Sequence, residues 1–306
     1  MGDHTKRRPW RERADVKHFV QLDYIFHKIL CNVASVSLHH NVERHSVSVL
    51  KIFVIFTPLT NSSVCPRHCA DCRLRSTEAF KPVNAQELSF IETFRSGAAW
   101  AKAGSAIILE NNPGGKLFTL YAGWAFRYKT LSDGRRQILN FLLPGDFIGL
   151  QEEFADGPSH GVEALTDATL CVFPRDRLRD LFCQFPSLGY DVTWLSAREE
   201  GMVDENLLTT GRRNATERVA VLLMHLHRRV QRLGLVEDGS IAFPINQQHI
   251  ADALGLSLVH TNKTLRALQK LGLHELKDGR LRLLNTKALQ RIADYYESPM
   301  RKVPLL

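Results

Sequence analysis

The sequence lacks the long apolar segments of membrane and exported proteins. Its longest apolar run, from Val47 to Leu59, is interrupted by Lys51 and Thr57 and falls short of a membrane span. No apolar segment lies close behind the first basic residues, as a signal peptide would require. We therefore expect a cytoplasmic protein without membrane contact, whose 6 cysteines are thiols or metal ligands rather than disulfides.

Common catalytic and nucleotide-binding motifs are also absent. The chain contains no GxGxxG after a strand, no GxxxxGK[ST], no GxSxG and no HExxH. Of its 13 histidines, several fall in the first 62 residues, and His225 and His227 point to different sides of one predicted helix. These absences indicate that the protein is not an enzyme. A catalytic site built from distant residues and a ligand-binding module without DNA activity remain as alternatives.

The composition is that of a globular protein with an excess of positive charge. Hydrophobic residues make up 44% and charged residues 24% of the 306 positions, enough for two domains that each bury a core. The formal charge of +8 and the isoelectric point near 9.3 favour a polyanionic partner without identifying it.

The hydrophobic pattern divides the chain into five parts. Residues 1–62 combine a basic start with apolar pieces of no regular period, which indicates a poorly ordered extension. Residues 63–186 carry a cysteine loop and then short alternating strands with Gly-bearing turns, typical of an antiparallel β-roll. A long helix over 187–210, a DNA-binding domain over 211–290 and a tail over 291–306 complete the chain.

The predicted long helix has a narrow apolar seam. Leu188, Val192, Leu195 and Met202 follow steps of four and three residues, interrupted at Glu199. Such a seam suits a two-fold dimer interface, with packing against the chain's own roll as the alternative. Because one recognition helix reads only a few base pairs, a DNA-binding protein of this kind favours dimerisation on a palindromic site.

The stretch from Phe243 to Leu284 has the pattern of a winged helix-turn-helix. Asn246 is placed to cap a first helix, Gly255 to end it and Ser257 to cap a second. The second helix turns an apolar stripe inward, and the sequence from Lys277 to Arg280 forms a hairpin turn able to contact phosphate.

The opposite face of that second helix carries hydrogen-bond donors and almost no acid. We expect Val259, Asn262 and Lys263 to face bases, since amides read adenine, cations read guanine and apolar groups contact the thymine methyl. The residues better placed for phosphate are Ser257, His260, Arg266 and Gln247. An ordinary helical hairpin with a solvated basic face is the alternative.

A roll, a connecting helix and a winged helix-turn-helix, in this order, resemble the Crp/Fnr family of bacterial transcription regulators. The match includes the Pro-Gly-Asp-Phe-Ile-Gly turn beginning at Pro144, the segment NATERVAVLL from Asn214 and the segment IADALGLSLVHTNKTLRAL from Ile250. The resemblance covers about residues 65–290. It implies an α+β fold with a cyclic-nucleotide-binding-like roll, a homodimer on double-stranded DNA, and an activator surface for RNA polymerase.

The sequence departs from the cyclic-AMP-binding members of this family. Where they hold ribose and phosphate with a Glu and an Arg-Ser pair, this chain has Leu150 and Pro158-Ser159. An aliphatic side chain accepts no hydroxyl hydrogen bond, and loss of the arginine removes the bidentate phosphate partner. We therefore predict that cyclic AMP is not bound.

Four cysteines form the main candidate for a metal site. Cys65, Cys69 and Cys72 lie on one short loop, and Cys171 lies in a predicted strand of the roll. Thiolates so placed can converge on a metal ion or cluster. The HCxxC sequence at His68–Cys72 and Cys171 resemble ligands of the oxygen-sensing Fnr branch, which implies a [4Fe–4S] cluster. The third loop ligand of that branch would fall near Glu78, and Cys65 can substitute for it, which keeps the ligand count at four.

Two other uses of these cysteines remain open. They can stay free thiols or serve as a thiol switch. They can also bind zinc, as four thiolates or as three with His68. Cys31 and Cys183 have no evident partner in this pattern. The overall prediction is a sequence-specific, homodimeric regulator, with control by oxygen or redox state if a cluster is present.

Overall fold

The computed structural model describes residues 65–112, 114–151, 160–295 and 301–306. The predictions for residues 1–62, for Cys31 and for Pro158-Ser159 lie outside these described residues. Within them, no helix is both long and apolar enough to cross a membrane.

Two antiparallel sheets form the roll. Their strands are β1 (Gly97–Ala101), β2 (Ala106–Ile108), β3 (Lys116–Ala122), β4 (Ala125–Thr130), β5 (Arg136–Leu142), β6 (Phe147–Ile148), β7 (Gly161–Ala164) and β8 (Ala168–Pro174). One sheet has the order β1-β8-β3-β6 and the other β2-β7-β4-β5. Apolar side chains from both sheets meet in one core, including Leu120, Leu142 and Leu170, so the sheets pack face to face. The predicted antiparallel β-roll is confirmed.

Helices flank the roll and lead into the last domain. In chain order they are α1 (Ala85–Phe94), α2 (Leu178–Gln184), α3 (Pro186–Arg212), α4 (Ala215–Arg232), α5 (Gln247–Leu254), α6 (Leu258–Lys270) and α7 (Thr286–Ala293). The long helix α3 begins one residue before and ends two residues after the predicted range of 187–210. Asn214 caps α4 through a reciprocal bond pair with Glu217, a capping box.

The helix-turn-helix follows from its capping residues. The Asn246 side chain accepts a hydrogen bond from His249 N at 2.8 Å, and Ser257 Oγ accepts one from His260 N at 3.2 Å. Gly255, between the two helices, has φ of 63°, the left-handed conformation that a residue without Cβ adopts at low cost. The capping residues therefore determine where each helix begins and where α5 ends.

A four-stranded sheet completes the domain. Strands β9 (Val236–Glu237), β10 (Ser240–Ala242), β11 (His274–Lys277) and β12 (Arg280–Leu283) are ordered β11-β12-β10-β9. Asp278 and Gly279 both have positive φ, 50° and 69°, as the tight turn of the predicted wing requires. The β9–β10 hairpin was not predicted, although its Asp238-Gly239 pair is the same turn signal.

One buried carboxylate joins the roll to two helices. Asp146, in the turn after β5, is 4% exposed and accepts a hydrogen bond from Leu143 N at 2.7 Å. Arg198 of α3 lies 3.2 Å from one carboxylate oxygen, and Arg229 of α4 contacts the other. Burial alone would raise the pKa of Asp146, but the two guanidinium groups hold it below its usual value.

The core stripe of α6 supports a first prediction. Thr261 and Leu268 are fully buried and Leu265 is 6% exposed, whereas Val259 on the same helix is 79% exposed. Leu268→Ala should lower the free energy of unfolding by about 2–5 kcal/mol, because it removes buried methyl groups and leaves a cavity. Val259→Ala, the control, should change it by less than about 0.5 kcal/mol. Urea denaturation measures both; equal losses in the two variants would contradict this assignment of the helix faces.

Candidate nucleic-acid interface and cysteine site

The outward face of α6 presents the side chains predicted to read bases. Val259 is exposed, Lys263 is exposed and Asn262 is half-buried. The helix contains no acidic residue, and the stripe of Thr261, Leu265 and Leu268 holds the opposite face in the core. The fold thus separates a packing face from a face of amide and cation donors.

The residues predicted to contact phosphate surround the same helix. Gln247 lies at the start of α5, Ser257 and His260 at the start of α6, and Arg266 about two turns further along α6; all four are exposed. The Ser257 hydroxyl accepts the capping bond from His260 N and keeps its own proton as a donor. A phosphate near this helix start would also meet the positive end of the helix dipole.

The wing is less free than its sequence suggests. Arg280 is tied to the neighbouring hairpin, with Nε 2.8 Å from Ser240 Oγ and Nη1 3.1 Å from Glu237 Oε2. Arg282 Nη2 donates to the Asp238 carbonyl at 2.7 Å. The two arginines therefore stabilise the sheet, and Lys277 is an exposed cation beside the turn.

The predicted dimer seam is packed inside its own chain. Leu188, Val192 and Leu195 are 1%, 1% and 3% exposed, and Met202 is half-buried, with its sulfur 3.8 Å from Asn140 Nδ2. A side chain already buried gains no further burial from a second copy. This corrects the prediction for Leu188, Val192 and Leu195, which are core contacts, as the alternative held; for the half-buried Met202 the dimer contact stays a prediction. The exposed apolar residues of α3 are Tyr190, Val203, Leu207 and Leu208.

The four candidate cysteines line one cavity. Cys65, Cys69 and Cys72 reach it from the loop before α1, where Cys69 starts a single helical turn, and Cys171 reaches it from β8. The sulfurs of Cys65 and Cys171 lie 3.6 Å apart. Glu78 is exposed and does not line the cavity, whereas Cys65 does.

Arginines surround these thiols. Arg95 Nη1 lies 3.6 Å from Cys65 Sγ and 3.0 Å from the Pro66 carbonyl oxygen. The hydrogen bond from Cys171 and the charge of Arg95 lower the pKa of Cys65 to about 7 against the opposing effect of burial. The pKa of Cys171 is raised, because it donates that hydrogen bond and is buried. Of these two thiols, Cys65 is therefore the one that ionises more readily.

Buried N–H groups beside the cavity have no partner. Arg75 lines it, and its Nε and Nη1 make no hydrogen bond, while Nη2 donates to the Leu305 carbonyl at 3.1 Å. Unsatisfied buried donors of a cation favour an anionic acceptor. Thiolate-ligated clusters accept hydrogen bonds at their sulfurs, so this donor set fits such a group.

The cavity itself is small. Its volume of about 20 Å³ accommodates roughly one water molecule. Among the described residues, no three His, Cys, Asp or Glu side chains are arranged to hold a metal ion. The cysteines thus share a cavity without having coordination geometry in this conformation. His68 is exposed, with Nδ1 2.7 Å from Glu92 Oε1, and takes no part in lining the cavity.

A second cavity, of about 470 Å³, lies between the roll and α3. Leu150 and Gln151 line it together with Arg127 of β4 and Glu199 of α3. Arg127 is 6% exposed; it forms an ion pair with Glu199 and donates to Gln151 Oε1 at 2.9 Å. A carboxylate of the protein therefore occupies the position in which a buried arginine would bind an anionic ligand.

Two family models match this chain. The cyclic nucleotide-binding domain matches residues 99–184, and the Crp-like helix-turn-helix domain matches residues 217–292. These ranges coincide with the roll and with the domain that contains α5, α6 and the wing.

Individual relatives resemble the chain over most of its length. The nitrogen fixation regulation protein FixK of Bradyrhizobium diazoefficiens is 28% identical over 225 residues, 74% of this chain and 93% of FixK. The transcriptional activator protein FnrL of Cereibacter sphaeroides is 29% identical over 215 residues, 69% of this chain and 86% of FnrL.

A solved structure shows the same architecture. The structure of FixK2 from Bradyrhizobium japonicum is 29% identical and superimposes with a TM-score of 0.58, covering 64% of this chain and 96% of that one. Crp/Fnr regulators bind DNA and act as dimers, and they are not enzymes. With both domains matched in order, the chain belongs to the Crp/Fnr family of transcription regulators, in its Fnr-like branch.

Proposed function

We propose that the protein is a homodimeric transcription regulator that reads a palindromic DNA site through α6. The observation that carries this proposal is the exposed, acid-free donor face of α6 opposite a fully buried stripe. In this orientation the helix can enter a major groove without desolvating its core face. Such a regulator would work in the cytoplasm, where bacterial DNA is located.

The side chains on this face have distinct proposed roles. Asn262 and Lys263 would donate to base edges, and Val259 would contact a thymine methyl group. Ser257, His260, Arg266 and Gln247 would contact phosphate oxygens and set the position of the helix on the duplex. Because Val259 offers no hydrogen bond, discrimination at its base pair rests on shape and apolar contact.

The division of the chain follows from these roles. Residues 63–186 would sense a signal, α3 would carry the dimer contact, residues 211–290 would read DNA, and 291–306 would follow as a tail. The dimer contact is reassigned from the buried residues of the seam to the exposed residues Tyr190, Val203, Leu207 and Leu208. By resemblance to activators of the family, a surface of the roll would contact RNA polymerase.

Loss of the base-reading donors tests the DNA-binding proposal. Asn262→Ala together with Lys263→Ala should weaken binding to a selected duplex by about 2–6 kcal/mol, since each base contact contributes about 1–3 kcal/mol. Lys102→Ala is the control. It also removes one positive charge, at an exposed lysine of the roll, and should leave the affinity for DNA unchanged. Gel-shift titration across salt concentrations measures both affinity and the slope from counterion release. Unchanged affinity and target selection in the double variant would refute this role of α6.

We further propose that the cysteine site couples DNA binding to oxygen or redox state. The support is the convergence of four cysteines from two segments on one cavity, with unpartnered Arg75 donors beside it. Cys65, Cys69, Cys72 and Cys171 would ligate a [4Fe–4S] cluster, which supplies sensitivity to oxidants when bound. These ligands would tie the loop before α1 to β8, so their release would loosen the roll near α3.

A thiol switch is the second candidate, favoured by the distance of 3.6 Å between the Cys65 and Cys171 sulfurs. The Cys65 thiolate would attack a peroxide, releasing water or an alcohol and leaving a sulfenic acid. The Cys171 thiol would then displace water to form the disulfide, so that two thiols lose two electrons to the peroxide. Zinc ligation by the same cysteines is a third use, without support from His68, which pairs with Glu92.

Anaerobic purification distinguishes these uses. If the cluster is present, the protein should be brown, contain iron and sulfide, and bleach in air. Cys69→Ala should lose the iron because it removes a thiolate ligand, whereas Cys183→Ser, at an exposed cysteine away from the cavity, should keep it. Iron-free, colourless anaerobic protein would eliminate the cluster, and a Cys65–Cys171 disulfide found by mass spectrometry after peroxide treatment would then support the thiol switch.

We also propose that cyclic AMP is not the signal. Leu150 is 7% exposed and apolar, and Arg127, which lines the same cavity, is already paired with Glu199. A nucleotide phosphate would have to compete with that carboxylate without gaining a ribose acceptor from Leu150. Calorimetry should therefore detect no binding of cyclic AMP at micromolar concentrations; a measured micromolar Kd would contradict the proposal.

A further inference from the structure

The segment 301–306 packs against the roll beside the cysteine cavity. Val303 forms a parallel bridge with Phe80. Val303 N–H donates to the Ala79 carbonyl at 2.9 Å, and Lys81 N–H donates to the Val303 carbonyl at 2.8 Å. The segment is thus held as a short added strand by the stretch that follows the cysteine loop.

Two leucines of this segment form a wall of the cavity. Leu305 and Leu306 are 3% and 5% exposed and line the same space as the four cysteines. Their carbonyl groups are held by side chains that also line it, Arg75 Nη2 at 3.1 Å and Thr119 Oγ1 at 2.9 Å. Arg75 therefore donates to this segment while its two other buried N–H groups have no acceptor.

The other walls of the cavity are the cysteine loop itself with Arg75, the Arg95 side chain, and two strands of the roll. Thr119 and Tyr121 belong to β3, and Cys171 and Phe173 belong to β8, two strands paired over most of their length. Separating them would break a row of backbone hydrogen bonds and open the core. Moving residues 301–306 breaks the few hydrogen bonds above and the one from Arg232 Nη2 to the Arg301 carbonyl, and it exposes three apolar side chains. This segment therefore opens at lower cost than the paired strands.

We propose that residues 301–306 act as a removable wall of the cysteine cavity, whose displacement gives a group larger than a water molecule access to the buried thiols of Cys69 and Cys171. The cavity volume of about 20 Å³ leaves no room for such a group while Leu305 and Leu306 are in place. The inference deepens the proposed redox function by naming what must move when the site is filled. Since the segment follows α7 of the DNA-binding domain in the chain, displacement would report the state of the cysteines to that domain.

Alkylation of the full-length, iron-free protein tests the wall directly. Leu305→Ser should speed the reaction of Cys69 and Cys171 with iodoacetamide by on the order of tenfold or more, because it weakens the closed state. Lys302→Ser introduces the same residue at an exposed position of the same segment and should leave both rates unchanged. Mass spectrometry after quenching measures each cysteine separately, with exposed Cys183 as an internal standard.

A second pair of variants guards against a folding defect. Thr119→Val removes the hydroxyl donor to the Leu306 carbonyl with little change in shape and should also speed alkylation, whereas Thr119→Ser keeps the donor and should not. Hydrogen exchange at the Val303 amide should quicken once the thiols are alkylated, since its bond to Ala79 would then break.

Equal alkylation rates in Leu305→Ser and Lys302→Ser would overturn the removable wall, as would unchanged exchange at Val303 after alkylation. Anaerobic reconstitution with ferrous iron and sulfide separates this inference from the cluster. Faster alkylation in Leu305→Ser without iron uptake in any variant would support the wall and refute the cluster. Iron uptake with equal alkylation rates would support the cluster and refute the wall.

Discussion

The architecture depends on the buried carboxylate of Asp146. It lies in the turn that ends β5, yet it is contacted by Arg198 from the long helix α3 and by Arg229 from the first helix of the DNA-binding domain. Burying a carboxylate costs free energy unless its oxygens are paired, so loss of either arginine would leave a buried negative charge only partly compensated. The Asp146 side chain therefore links the roll to both α3 and the DNA-binding domain through ion pairs.

The roll also contacts α5, the helix that precedes the DNA-reading helix α6. The α5 helix contacts β5, with Gln137 Nε2 3.0 Å from the Ala253 carbonyl oxygen, and the ring of Phe126 lies 5.5 Å from that of His249. The cysteine loop lies on the other sheet, which contains β3 and β8. The cysteine cavity and α6 are therefore not in direct contact. Coupling between them would require that the roll and α3 can pack in two alternative arrangements.

The cysteine site illustrates how sequence and tertiary structure divide the information. Spacing placed Cys65, Cys69 and Cys72 on one loop, the family resemblance implied Cys171 as their partner, and the fold brings all four to one cavity. The spacing did not show that Leu305 and Leu306 line that cavity, because they lie more than 130 positions after Cys171 and no local sequence pattern connects them to it. It also did not show the unpartnered donors of Arg75, which depend on the packing of its surroundings.

Local chemistry in the sequence determined the elements of this protein. Asn246, Gly255 and Ser257 set the limits of α5 and α6, and Asp278-Gly279 set the wing turn, because caps and tight turns depend on neighbouring residues. Tertiary structure decided which face of α3 is buried and that Arg280 and Arg282 of the wing are held by the neighbouring hairpin. The apolar period of Leu188, Val192 and Leu195 is equally suited to a partner helix and to the chain's own core, and only long-range packing distinguishes the two.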